Sequence, residues 1–178
     1  MSRDFRSKVK KAAAMLLYRG FRRRGVMGWE LRKYIGKDYV DVLRVLNEEL
    51  DLLGLTIKAV SDSGDELDWN DETMLRKAYF VVVLKNPPPF SIVKTAGWRI
   101  DDLAILAATL MYIVSKRGKA NRNDVERFLC EKFPKWKVEQ NLDRFIKLGY
   151  LREEGEVLHI GWRTKVEVNL KKLLGLPE

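Results

Sequence analysis

Lys137, Gln140, Asn141, Arg144 and Lys147 recur at three- and four-residue steps within the segment WKVEQNLDRFIKL. That spacing lines side chains along one side of a helix. Amide and guanidinium groups can hydrogen-bond base edges, and lysines neutralise phosphates. Val138, Leu142, Phe145 and Ile146 should then point the other way and pack inward. The pattern predicts a helix that contacts double-stranded DNA. Lys119 and Arg122, just upstream, join it as phosphate contacts. Glu139 and Asp143 oppose this reading, because an acidic side chain repels phosphate, and a solvated polar face is the alternative.

A second basic run opens the chain. Arg3, Arg6, Lys8, Lys10, Lys11, Arg19, Arg22, Arg23 and Arg24 could track phosphates or form a solvated arm. The net charge of +9 is uneven. Residues 1–44 hold 13 basic and 4 acidic side chains, residues 45–84 hold 3 and 9, and residues 85–178 hold 18 and 12. A polyanion on one face and a protein partner on another fit this split. Many Lys, Arg and Glu, with Gln140 the only glutamine, fit a heat-adapted source.

Other chemistry lacks its residues. One cysteine, Cys130, excludes an internal disulfide, and one histidine, His159, excludes most zinc sites and nucleophile–base triads. Cys130 is expected to pack within a helix and His159 to be structural. No GxxxxGK[ST] or GxGxxG cradle occurs. The acidic residues Asp62, Asp65, Glu66, Asp68, Asp71 and Glu72 miss the EF-hand spacing and read as a solvated loop. Neither an enzyme nor a cofactor is expected. No apolar run is long enough to span a bilayer, and the charged N-terminus lacks a signal region, so a cytoplasmic location is expected, without membrane contact.

The elements that must position these groups read in two halves. NPPPFSIVKTAGW, residues 86–98, cannot continue a helix or central strand through its prolines and reads as a linker. It separates domain 1–85 from domain 99–178. In the first, Val9, Ala12, Ala13, Leu16 and Leu17 mark a helix over 8–19. A second helix covers 28–35, and Asp38 caps a third running to about residue 53, where Gly54 ends it. Strands LTIKAV and AYFVVVL follow, separated by the acidic loop 61–77. This third helix, carrying Asp41, Glu48, Glu49 and Asp51, suits protein contact better than DNA. The second domain repeats the order. Helices are expected at 99–116, from an Asn123 cap to about 133, and at 136–148, then a two-stranded wing over 150–162 and a helix over 166–174. Its wing tip, Glu153, Glu154, Gly155 and Glu156, should avoid phosphate. Three helices and a wing, twice over, predict a mainly α, α+β tandem winged-helix protein.

Three stretches carry a family resemblance over roughly residues 12–174. They are AMLLYRG with its paired leucines, DYVDVLRVLNEELDLLGLTIKAVSDSG, and GYLREEGEVLHIGWRTKVEVNLKKLL. The chain resembles the MAGE homology domain and the related non-SMC element, or kite, subunits of SMC–kleisin complexes. The order here is Gly161-Trp162-Arg163, where the family has Trp-Gly. The resemblance implies a binding subunit that pairs with another kite subunit, grips a kleisin beside SMC ATPase heads, and in some members holds duplex DNA on the second winged helix. It implies a protein interface at Leu16 and Leu17, although their stripe position equally suits the core.

The expected function is therefore an accessory subunit of a chromosome-organising SMC–kleisin complex, associated with the nucleoid. A homodimer or kite–kite dimer is possible. The alternative is a winged-helix transcription factor, either a regulator or a basal factor of the TFIIE type. A pure protein scaffold is a third reading.

Overall fold

The computed structural model describes residues 3–19 and 24–175. The chain divides into two compact units, residues 1–87 and 88–178. Each is a small helical bundle closed by a three-stranded antiparallel sheet, the α+β winged-helix pattern.

Unit 1 runs α1 (Arg3–Arg19), β1 (Val26–Met27), α2 (Gly28–Ile35), α3 (Tyr39–Asp51), β2 (Leu55–Val60), α4 (Glu72–Leu75) and β3 (Tyr79–Leu84). The sheet order is β1-β3-β2, with Leu55 opposite Leu84 and Val60 opposite Tyr79. Its core forms because α1, α2 and α3 each present an apolar stripe to the inner face of β3. Ala12, Leu31, Val42, Leu43 and Phe80 are fully buried there. Phe80 takes the edges of Tyr39 and Trp69 at 6.2 and 5.7 Å, geometry worth about 1 kcal/mol per pair beyond area burial.

Several local expectations change. The basic N-terminal segment is helical from Arg3, five residues before the expected start, rather than a loose arm. Leu16 is core at 3% exposure, but Leu17 is 46% exposed, so the paired leucines divide between core and surface. Asp38 stands at the start of α3 without capping it. Its carboxylate instead accepts from Lys8 Nζ at 2.8 and 3.0 Å, tying α1 to α3. That hydrogen bond holds the Asp38 carboxyl below its usual range and the Lys8 amine above its own. The acidic stretch is also more than solvated loop. Asp71 caps α4 by accepting from the Thr73 and Met74 amides. Leu75 is fully buried, and the Gly28 amide donates to Ala78 O at 2.9 Å.

Unit 2 runs α5 (Phe90–Thr95), α6 (Ile100–Ser115), β4 (Lys119–Asn121), α7 (Arg122–Cys130), α8 (Lys135–Leu148), β5 (Leu151–Glu154), β6 (Val157–Ile160), α9 (Trp162–Glu167) and α10 (Leu170–Leu173). The sheet order is β4-β6-β5, with Ala120 opposite Leu158 and Leu151 opposite Ile160. Ile105, Ile113, Val125, Val138, Leu142, Phe145 and Leu158 are fully buried. The expected linker carries α5, because Pro89 sits before its first turn, where a missing amide costs nothing. Asn121, not Asn123, caps α7, accepting from the Asn123 amide at 2.9 Å. The final helix is two, broken where Val168 is extended and Asn169 caps the second piece. Cys130 is exposed rather than packed.

Candidate nucleic-acid and protein interface

The helix expected to read DNA, α8, is oriented by its apolar residues as anticipated. Val138, Leu142 and Phe145 are buried. The polar residues do not share one outward face. Asn141 is 3% exposed and Lys137 is mostly covered. The reason lies in the first turn of α6, which brings Asp101 and Asp102 against α8. Lys137 Nζ donates to Asp101. Asn141 Nδ2 donates to Asp102 Oδ1 at 3.2 Å and to Lys137 O at 3.0 Å. Arg144 donates to Asp102 Oδ2 at 3.2 Å and to Gly97 O at 3.3 Å, and its guanidinium lies 4.4 Å from the Trp98 ring centre. Asp102 also accepts from the Arg99 amide at 3.4 Å, closing the start of its own helix.

These are internal bonds in a largely dry place. Asp102 is 6% exposed, so its charge depends on those donors. Lys137, Asn141 and Arg144 therefore join α8 to α6 and are not arrayed outward for base edges, which corrects the single polar face expected from spacing. Arg122 is occupied in the same way. It donates to Glu126 at 2.8 Å, Asp143 at 2.7 Å and Glu153 at 2.9 Å. Those carboxylates raise its already high pKa and tie α7, α8 and β5 together. Gln140, Lys147 and Lys119 remain exposed, with no ion-pair or hydrogen-bond partner among the described residues. The wing tip from Glu154 to Glu156 is exposed and acidic.

In unit 1, Arg24 is paired with Asp62, whereas Arg22 and Arg23 lie outside the described residues. Large apolar side chains are exposed on both units: Leu17, Tyr18, Trp29, Tyr34, Leu52, Leu53 and Leu84 on this one, and Ile92, Ile100, Met111, Phe128 and Trp136 on unit 2. Leu52 and Leu53 stand 86% and 72% exposed just after α3. Leu52 and Leu53, adjacent in sequence, are the most exposed apolar pair of the unit. Their signal in the sequence was LDLLGL, where four leucines cannot all face one core.

Among the described residues, no three His, Cys, Asp or Glu side chains gather to hold a metal, and no helix is long and apolar enough to cross a membrane. His159 lies in β6 with Nε2 3.4 Å from Glu154.

The geometry has a solved counterpart. The fold is that of a chain in the Nse1-Nse3-Nse4 complex. The likeness has a TM-score of 0.66 at 19% identity, over 94% of this chain and 72% of that one. The sequence resemblance and the structural likeness agree at the level of fold. The chain matches no protein-family model and no curated protein.

The segment after β6 explains why a glycine–tryptophan step closes this fold. The Gly161 amide donates to Tyr150 O at 2.9 Å, and Thr164 Oγ1 donates to the same oxygen at 2.7 Å. Tyr150 OH donates to Glu167 at 2.7 Å, and Arg163 reaches that carboxylate at 2.6 Å. Burial and the Glu167 charge push the Tyr150 phenol far above its usual range, so it stays a donor at any physiological pH.

Proposed function

We propose that this chain is a non-catalytic, kite-like accessory subunit of an SMC–kleisin chromosome-organising complex. In this reading it binds a kleisin or partner subunit and double-stranded DNA, and it works at the nucleoid. The observation that carries the reading is the likeness to a chain of the Nse1-Nse3-Nse4 complex, which covers 94% of this chain. Leu17, Leu52 and Leu53 support a protein-binding role for unit 1. Lys119, Gln140 and Lys147 are the expected DNA-facing groups left outward on unit 2.

The internal bonds of Lys137, Asn141 and Arg144 weigh against the transcription-factor reading. They withdraw Asn141 and Arg144 from base edges and leave the cations Lys119 and Lys147, suited to phosphates, beside Gln140. Selection from random duplexes decides between the two. An accessory subunit yields no consensus and a steep loss of affinity with salt. A recovered consensus, above all a palindromic one, would replace this reading with a sequence-specific regulator.

A further inference from the structure

We infer that the outward face of α1 is a phosphate-tracking surface that lies along the backbone of duplex DNA. The inference rests on the duplex-binding part of the proposed function and places a contact on unit 1, in addition to those expected on unit 2.

The face is built from exposed residues. Arg3, Arg6 and Lys10 fall at i, i+3 and i+7, with Ser7 between them and Ala14 one turn further on. None of the three cations has an ion-pair or hydrogen-bond partner among the described residues. This contrasts with Lys137, Arg144 and Arg122, all consumed by carboxylates. From Arg3 to Lys10 the helix axis advances about 10 Å, the axial distance of about three phosphates on one strand. The end of α2 widens the surface. Lys11 and Lys33 stand over the Tyr34 ring at 5.9 and 5.5 Å, and Lys37 follows, exposed. The one acid on this side of α1 is Asp4, which lies toward Lys8 at 3.9 Å.

The charge selects a polyanion, and the packing selects nucleic acid over a lipid surface. A membrane-binding helix must insert an apolar face. Here that face, with Ala12 and Leu16 buried and Phe5 and Val9 packed on them, is already committed to the core. What remains for a partner over the first turns of α1 is cationic, and the exposed Leu17 and Tyr18 at the far end of the helix are too few to make an inserting face. Because no groove is shaped around it, the contact carries no base preference.

The test is fluorescence anisotropy of a labelled duplex of about 30 base pairs, titrated with the full chain from about 50 to 300 mM KCl. The triple variant Arg3→Gln, Arg6→Gln, Lys10→Gln changes only exposed positions, and circular dichroism checks that it folds. It should lower the salt slope by about 2–3 and weaken binding on the order of 100-fold at about 100 mM salt. The double variant Lys171→Gln, Lys172→Gln, which removes exposed cations elsewhere, should change affinity by less than about 5-fold. If the native chain binds and the triple variant binds equally well with the same slope, the α1 face is wrong while duplex binding survives. Failure of the native chain to bind even at about 50 mM salt overturns this surface together with the duplex-binding part of the proposed function. Preference for phosphatidylserine vesicles through the same three residues would also overturn it, in favour of a membrane surface.

Discussion

Asp102→Ala should destabilise unit 2 by about 2–3 kcal/mol, an apparent melting shift of roughly 10–20 °C for a unit of this size. The carboxylate is almost fully buried and accepts from Asn141 at 3.2 Å, Arg144 at 3.2 Å and the Arg99 amide at 3.4 Å. Removing it leaves the buried Asn141 amide with Lys137 O alone and the partly covered Arg144 guanidinium with Gly97 O alone. Asn141 is already short of one partner, since its Oδ1 is buried and unbonded. The carboxylate joins two donors of α8 to the start of α6, so the loss is that of a broken network rather than of one exposed pair. Arg144 is 36% exposed in its side chain and recovers some hydration, which keeps the cost below that of a fully buried charge. Asp102→Asn keeps one acceptor oxygen and should lose clearly less. Thermal unfolding followed by circular dichroism checks both. Equal stability of native chain and Asp102→Ala would show that α8 does not depend on α6 in this way.

Gly161→Ala should cost about 3 kcal/mol or more, although alanine adopts this backbone conformation freely at φ −78° and ψ 163°. The obstacle is space. An added Cβ would lie 2.2 Å from Gly149 O, 2.7 Å from Tyr150 C and 2.8 Å from Leu151 N, all backbone atoms at the start of β5. Relief requires moving α9 away from β5, which breaks the Gly161 and Thr164 bonds to Tyr150 O. Gly155→Ala at the wing tip is the matched comparison. Its φ of +61° imposes backbone strain, but a Cβ there meets nothing within 4 Å, so about 1 kcal/mol is expected. Denaturant midpoints for the two variants should separate clearly. Similar midpoints would contradict the close-approach account.

Much of the architecture was legible because it rests on local periodicity. The buried Val138, Leu142 and Phe145 of α8 and the strand Leu55–Val60 follow from apolar spacing alone. The first strand of each sheet was not legible. Val26–Met27 and Lys119–Asn121 are too short to show alternation, and they form only because β3 and β6 offer a free edge. The polar side of α8 was misread for a related reason. Spacing says which residues share an arc, not which neighbour covers it. Asn141 sits between Val138 and Phe145 along the helix, and Asp102 arrives from 39 residues away to receive its amide. In unit 1, the capping propensity of Asp38 was real but lost to Lys8, a long-range partner that local rules do not register.

These displacements bear on function more than on fold. Cations that looked available on α8 are tied within unit 2, while cations on α1 that looked like a loose arm stand on an ordered helix. The apolar surface of unit 1 likewise follows from leucines left over once its core is full. Together they fit the function proposed above, a chain that holds other macromolecules.

The most direct measurement of that claim is a tagged purification from the native cell, treated with nuclease and read by mass spectrometry. The account predicts recovery of a kleisin-like protein together with an SMC-type ATPase, and their retention after DNA is digested. Recovery of RNA polymerase components, or of no protein at all, would contradict it.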